Sequence, residues 1–316
     1  MIPAIIDCDP GHDDVMAILL GARTMDIKGI TTVFGNASLS LTTKNARYLV
    51  ELADLRHIPI AAGHDRPLVR RDDSAGDGAG AHGKTGLDGP TILEPTVPIL
   101  EEHAVEFIYR TAKETPNLHL IPVGPLTNIA AAIRRYPDLA NHVTAISLMG
   151  GSTTMGNATP VAEFNIWADP EAAHIVFTSG IPIKMVGLNV TRQVAATPDL
   201  RAQIRGFGSK TAVAVADMLD FYSERLSILY GLPGGSMHDP LAVAAIIDPD
   251  ILTFQSMHVA IELVGTHTVG MTVCDYRNRR KDTGEPRGEP PNAEVAVAVD
   301  NGRFWTLFLD ILQDYP

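Results

Sequence analysis

The stretch IPAIIDCDPGHDDVMAILL, residues 2–20, decides the fold class because it joins a strand to a helix through a tight turn. The continuous apolar run Ile2–Ile6 is typical of a strand that is buried on both faces. Pro10 and Gly11 break that strand, and an apolar pattern with helical spacing follows from Asp13 onward. Four aspartates lie between the two elements and repel one another. The fold must therefore supply a cation, hydroxyl partners or both at this point.

The same alternation of strand and helix patterns continues through residue 186. The predicted strands are Ile2–Ile6, Ile27–Phe34, Leu118–Val123, Val143–Leu148 and Ile183–Val186. The predicted helices are Asp13–Arg23, Leu39–Leu55, His103–Glu114, Leu126–Tyr136 and Pro170–Ser179. Such βα units predict an α/β fold, Rossmann-like, with an open and mostly parallel sheet flanked by helices. Ligands of such sheets bind at the carboxyl ends of the strands, where the aspartates lie, so we expect the active site there.

The rest of the chain is more helical and contains the longer loops. The predicted helices are Ser209–Leu229, His238–Ile247 and Gly302–Leu312, and the predicted strands are Val259–Leu263, Thr268–Val273 and Ala293–Val299. Arg70–Pro90 and Asn278–Pro291 show no periodicity and are predicted to be long loops. The sequence shows no internal repeat and no clear linker, so we expect residues 1–316 to form a single domain.

Composition and charge weigh against several classes of protein. The net charge of −12 argues against DNA or RNA as a partner, because nucleic-acid-binding proteins concentrate Lys and Arg. No run approaches the ~20 apolar residues that a membrane-spanning helix needs. Cys8 and Cys274 are predicted to be reduced packing residues, and a carboxylate already stands at Asp7, too early for the apolar region of a signal peptide. We therefore expect a cytoplasmic protein.

The loop predicted after residue 70 contains GAGAHGKT, residues 78–85, which matches the phosphate-loop pattern. That motif binds phosphate only as a turn between a buried strand and a helix. The preceding RRDDSAGD is too polar for a buried strand, and the following GLDGPTILEP has too many glycines and prolines to open a helix. The match is predicted to be accidental.

The aspartates themselves suggest a metal site. Asp7 and Asp9 project to the same face of the strand, whereas Asp13 and Asp14 favour the positive end of the following helix. Calcium binds six to eight oxygens in irregular geometry, and the contiguous calcium-loop pattern fails here, so distant segments have to complete the site. A metal-dependent phosphohydrolase, with Asp7 as nucleophile and Asp9 as acid and base, is an alternative, although Gly11 departs from its motif. A binding protein that uses calcium structurally is another alternative.

Six motifs, considered together, resemble one known family. They are DCDPGHDD at 7–14, VFGN at 33–36, PVGPLTNIA at 122–130, LMGG at 148–151, VAEFNIWADPEAAHIVF at 161–177 and HDPLAVA at 238–244. In this order they resemble the inosine–uridine-type nucleoside hydrolases, and the resemblance covers nearly the whole chain. It implies calcium-dependent hydrolysis of the N-glycosidic bond of ribonucleosides to free base and ribose, with inversion. The implied partner is a small-molecule nucleoside, and a homo-oligomer (dimer or tetramer) is expected.

The resemblance also implies a role for individual residues. The implied calcium ligands are Asp9, Asp14, Asp239 and the backbone carbonyl of Val123. The residues implied to bind ribose are Asp13, Asn36, Glu163 and Asn165. Asp9 would take a proton from water, and His238 would assist the departing base. His82 and Tyr230 are implied to contact the base. The expected specificity of the enzyme is either broad, of the inosine–uridine type, or pyrimidine-preferring.

Overall fold

The computed structural model describes residues 1–70, 79–277 and 288–316. The strands are β1 (Pro3–Cys8), β2 (Asp26–Thr32), β3 (Ile60–Ala62), β4 (Leu118–Pro122), β5 (Val143–Met149), β6 (Ile183–Val186), β7 (Ala195–Ala196), β8 (Gly235–Ser236), β9 (Leu252–Met257), β10 (Val259–Ile261), β11 (Thr272–Cys274) and β12 (Ala293–Val299). The helices are α1 (His12–Thr24), α2 (Leu39–Leu52), α3 (Ala79–His82), α4 (Ala104–Glu114), α5 (Thr127–Arg135), α6 (Phe164–Ala168), α7 (Pro170–Phe177), α8 (Leu188–Thr191), α9 (Pro198–Gly206), α10 (Lys210–Tyr230), α11 (Pro240–Ile247) and α12 (Asn301–Leu312).

One sheet of eight strands forms the centre of the fold, in the order β3-β2-β1-β4-β5-β6-β12-β9. Its neighbouring strands are parallel except at the β12–β9 edge, which is antiparallel. Two apolar cores cover its two faces, one built with α1, α2, α10, α11 and α12, and the other with α4, α5 and α7. Along β1, Ile6 joins the first core and Ile5 the second, as strand alternation requires. The predicted α/β class with an open, mostly parallel sheet is confirmed.

The structure adds elements that the sequence patterns do not reveal. Strand β3 has only three residues, and β9 has several partly exposed positions, so neither shows the continuous apolar run of a central strand. The predicted helix Leu39–Leu55 ends at Leu52, because Asp54 adopts a left-handed backbone with φ of 58°. Within the residues that the structure describes, no helix is long and apolar enough to cross a membrane.

The two predicted loops fall partly outside the described residues. Residues 71–78 and 278–287 lie outside them, and the short helix α3 interrupts the remainder of the first loop. After α3, the backbone N–H groups of Lys84 and Thr85 donate to the carboxylate of Asp88, at 2.9 and 3.1 Å. A carboxylate thus occupies backbone donors of the apparent phosphate-loop match, and no helix follows, so the described part of that match does not form a phosphate site.

Candidate active site

A cavity of about 270 Å³ opens at the carboxyl edge of the sheet. This volume lies just below the usual range for small-molecule sites, which begins at about 300 Å³. The sequence-predicted residues that line it are Asp9, Asp13, Asn36, His82, Val123, Glu163, Asn165, Tyr230, His238 and Asp239. Asp14 is fully buried and lies behind this surface, beside Asp13 and Asp239. The structure therefore brings together side chains from segments that are more than 200 residues apart in sequence.

The floor of the cavity carries a cluster of buried carboxylates. Oxygens of Asp13, Asp14 and Asp239 all lie within 4.8 Å of one another. Burial raises the pKa of each, and the neighbouring aspartates raise those of Asp13 and Asp239 further. The protein thus holds these oxygens together against desolvation and mutual repulsion, an arrangement that a bound cation would relieve. The donor set fits a hard divalent ion. Asp13, for which the resemblance implies a ribose contact, belongs to this cluster and also lines the cavity.

Asp9 follows the carboxyl end of β1, and the loops after β2 and β4 enclose it. Its Oδ2 accepts the backbone N–H of Asn36 at 2.7 Å, and the Asn36 amide donates to the Asp9 carbonyl at 3.2 Å. Gly35, with φ of 155°, and Gly124 pack directly on the carboxylate, and a Cβ at Gly124 would lie 2.5 Å from Oδ1. Burial, followed by the charge of Asp14, raises the pKa of Asp9 well above its usual value. Both glycines are therefore needed for Asp9 to occupy this position.

Asp7 lies deeper and does not line the cavity. Its Oδ1 accepts the Thr31 hydroxyl at 2.5 Å and the Asn128 amide at 2.8 Å, and burial raises the pKa of Asp7 to about 7. Its Oδ2 is buried and has no hydrogen-bond partner among the described residues. A nucleophile for phosphate esters must be reachable by substrate, so this position weighs against the phosphohydrolase alternative. Asp7 instead ties β1 to β2 and α5.

The side chains predicted to bind ribose form a rigid wall of the cavity. Glu163 is the N-cap of α6, and its carboxylate accepts backbone N–H groups of Asn165 at 3.0 Å and Gly151 at 2.9 Å. Burial raises the pKa of Glu163 to about 7. The Asn165 amide donates to the carbonyls of Val123 at 2.7 Å and Met149 at 3.1 Å. The Val123 carbonyl therefore already accepts one hydrogen bond, and its second lone pair remains for a metal.

His238 lies beside the carboxylates and is held by α8. Its Nδ1 is 2.6 Å from the Thr191 hydroxyl. Burial, followed by the charge of Arg192, lowers the pKa of His238 to about 3. The ring is therefore neutral near pH 7, and it can donate a hydrogen bond through one N–H without carrying a positive charge.

His82 is buried on α3. Its Nδ1 is 3.2 Å from the His12 backbone N–H and 3.0 Å from His12 Nδ1, and its ring stacks on Tyr222 with centroids 5.0 Å apart. Burial, the largest cause, lowers the pKa of His82 well below its usual value. Arg225 donates to the Gly80 carbonyl at 2.7 Å and so holds α3 against α10. Tyr230 lies half-exposed at the rim of the cavity.

The cavity also contains residues that the sequence reasoning did not select as site residues. They are Ala81, Met149, Asn157, Ala158, Phe164, Trp167, Arg192, Leu226 and Leu232, and Tyr222 lines the cavity near Tyr230 as well. Phe164 and Trp167 belong to the 161–177 motif, so aromatic side chains beside Glu163 were a usable signal. Arg192 had none, because an isolated arginine after an apolar run resembles an ordinary surface residue.

Comparisons with known proteins agree with this geometry. The family described as inosine-uridine preferring nucleoside hydrolase matches residues 4–306. An inosine-uridine preferring nucleoside hydrolase of Crithidia fasciculata is 41% identical, over 98% of this chain and 96% of that protein. A pyrimidine-specific ribonucleoside hydrolase of Escherichia coli is 39% identical, over 98% and 97%.

A solved structure extends the likeness to three dimensions. The purine-preferring ribonucleoside hydrolase from Gardnerella vaginalis superposes with a TM-score of 0.90 at 33% identity, over 98% of both chains. The family match, the relatives and the shared fold all cover nearly the full length of the chain. They leave no part of the cavity outside the matched region, because its lining extends from Asp9 to Asp239. This chain therefore belongs to the inosine-uridine preferring nucleoside hydrolase family of N-glycosidases, which act on purine or pyrimidine ribonucleosides.

Proposed function

We propose that the enzyme hydrolyses ribonucleosides in a calcium-dependent reaction in which Asp9 activates water. The observation that supports this most strongly is the group of buried carboxylates, Asp13, Asp14 and Asp239, which lies beside Asp9 at the floor of the cavity. Carboxylates in this number have raised pKa values without a cation, so the site favours a divalent ion with oxygen ligands.

Asp9, Asp14, Asp239 and the Val123 carbonyl would hold the ion, and Asp13 lies close enough to share in the charge. When bound, calcium supplies positive charge that keeps these carboxylates ionised and makes a bound water more acidic. The backbone N–H of Asn36 donates a hydrogen bond to Oδ2 of Asp9, whereas no donor among the described residues lies within hydrogen-bond distance of Oδ1. Oδ1 is therefore the oxygen that would accept the proton of the attacking water.

The remaining polar residues would orient the ribose. Asp13, Asn36, Glu163 and Asn165 line the cavity around Asp9 and offer side-chain oxygens as acceptors for sugar hydroxyls. Cleavage of a glycosidic bond passes through an oxocarbenium-like transition state, which nearby carboxylates stabilise. Water would attack directly, because Asp9 serves as base and no separate nucleophile is needed. The product would be ribose with inverted configuration.

The departing base would be assisted by neutral donors. His238 lines the cavity, and donation from the Thr191 hydroxyl to its Nδ1 would place the ring proton on Nε2, from which it could reach the departing base. His82 and Tyr230 line the same cavity and would contact the base. We propose a broad inosine–uridine or pyrimidine-preferring specificity, since relatives of nearly equal identity carry both descriptions. A cytoplasmic homo-oligomer, dimer or tetramer, also remains a prediction, and light scattering tests the oligomer.

The test is ribose release from inosine, adenosine, guanosine, uridine and cytidine, with chelator and after calcium is restored. We expect activity to vanish with chelator and return with calcium. Asp9→Asn should lower kcat by about 10²–10⁴-fold, the range for loss of a general base. Activity that persists in Asp9→Asn, or that survives chelation, would contradict the proposal.

A second arm examines His238. His238→Ala should slow inosine far more than p-nitrophenyl riboside, whose leaving group needs no proton. Equal losses on both substrates would remove His238 as the donor. Phosphate release from p-nitrophenyl phosphate, without ribose release from any nucleoside, would favour the phosphohydrolase instead.

A further inference from the structure

The cavity is strongly acidic, yet one cationic side chain faces it. Among the described lining residues, Arg192 alone carries a permanent positive charge. It follows directly after α8 and is half-buried. Four acidic residues, Asp9, Asp13, Glu163 and Asp239, line the same cavity, so Arg192 offers a bound ligand a charge of the opposite sign.

The guanidinium is only lightly used by the protein itself. Its Nη2 donates to the Gly156 carbonyl at 3.2 Å. Within the described part of the chain, no carboxylate lies within 4.0 Å of it, whereas Arg201, Arg205 and Arg303 each pair with aspartates. A guanidinium has five N–H donors, so several of those of Arg192 remain available to a ligand.

The position of Arg192 assigns it to one part of the cavity. The preceding residue, Thr191, contacts His238 Nδ1 at 2.6 Å, and the charge of Arg192 acts on His238 itself. Arg192 and His238 are therefore neighbours. Since His238 is the residue that would assist the departing base, the positive charge lies where the base would be.

We propose that Arg192 binds an oxygen substituent of the nucleobase and stabilises the negative charge that the base gains as it departs. This inference rests on the proposed function. Water adds its oxygen to the anomeric carbon and loses a proton to Asp9, the C–N bond breaks, and its electron pair stays on the base. In hypoxanthine or uracil that charge spreads onto a ring carbonyl, to which a guanidinium donates a charge-assisted hydrogen bond. Arg192 thereby makes the enzyme selective for bases with an oxo group over those with an amino group.

An amino group in the same place offers donors instead of an acceptor. Adenosine differs from inosine at the 6-position in this way, and cytidine differs from uridine at the 4-position. A guanidinium cannot accept a hydrogen bond, so it would face an unpaired N–H in the amino substrates. The two pairs of nucleosides therefore form matched probes of this one side chain.

The experiment compares kcat and kcat/KM for these four nucleosides in the wild type, Arg192→Met and Arg192→Lys. Loss of one hydrogen bond to a charged group corresponds to a loss of about 10–100-fold. We expect Arg192→Met to lower kcat/KM by about that factor for inosine and uridine, and by less than about threefold for adenosine and cytidine. The loss should appear in kcat as well as kcat/KM, because the charge develops in the transition state. The kcat/KM of Arg192→Lys for inosine and uridine should lie between those of the wild type and Arg192→Met, since lysine keeps the charge but not the planar donor geometry.

Arg205→Met is the matched control, because Arg205 pairs with Asp217 on the surface and does not line the cavity. It should leave both substrate ratios unchanged. Retained cleavage of adenosine or cytidine shows in the same assay that Arg192→Met is folded. Equal losses on oxo and amino substrates, or no loss on inosine and uridine, would overturn the role of Arg192 alone. A wild type that releases ribose from no nucleoside would overturn the proposed function, and this inference with it.

Discussion

Replacement of Asp7 by asparagine tests how this fold tolerates a carboxylate that nothing outside the protein can reach. Asp7 is fully buried, its Oδ1 accepts Thr31 and Asn128, and its Oδ2 lacks a partner among the described residues. Burial raises the pKa of Asp7 from 3.8 to about 7. The folded protein therefore holds a proton on Asp7 that the unfolded chain has already released above pH 4.

The sign and size of the effect follow from this difference in proton binding. Between about pH 4 and 7 the unfolded state binds fewer protons than the folded state, so the free energy of unfolding falls as the pH rises. Each pH unit of that range lowers the free energy of unfolding by about 1.4 kcal/mol. The titration of Asp7 therefore lowers it by at most about 4 kcal/mol by pH 7. Above pH 7 the contribution of this group is constant. Asp7→Asn has no proton to lose, so its stability relative to the wild type should rise across the same range.

The assay is urea unfolding at pH 5, 6, 7 and 8, followed by tryptophan fluorescence in the presence of a chelator. The stability of Asp7→Asn minus that of the wild type should increase by about 2.7 kcal/mol between pH 5 and 8, because about two pH units of that interval lie below the pKa of Asp7 in the folded protein. Thr31→Val keeps the carboxyl but removes a hydrogen bond that lowers its pKa, so it should move the transition to higher pH. A difference between Asp7→Asn and wild type that does not change with pH, or that decreases, would refute the reasoning.

Three further substitutions test other contacts of the site. Gly124→Ala should displace Asp9 and lower kcat by about 100-fold in a ribose-release assay, and an unchanged rate would show that the close packing on Asp9 is dispensable. Asp239→Asn should weaken calcium binding, measured by calorimetry, by at least about tenfold, because it removes one charge from the cluster; equal affinity would exclude Asp239 as a ligand. Arg225→Met should raise KM more than it lowers kcat, because it releases the helix that carries His82; an effect on kcat alone would contradict this.

Much of the site was visible in the sequence, although its packing was not. Ten of the predicted residues line the cavity, and Asp14 lies directly behind them. His82 shows what was missing, because a lone histidine in a glycine-rich segment indicates an exposed loop. In the structure it is buried against His12 and Tyr222, and α10 holds it from a position 140 residues further along the chain.

The sequence by itself determined the alternation of strands and helices and the position of the acidic turn after β1. Both depend on local properties: a buried apolar run, a Pro-Gly break and helical spacing within twenty residues. Tertiary structure decided which strands are neighbours, so that β12 and β9 complete the sheet from the far end of the chain. It also decided that Asp13 joins the carboxylate cluster and that Arg192 reaches the cavity. Such contacts depend on how distant elements pack, and no periodicity near either residue records that.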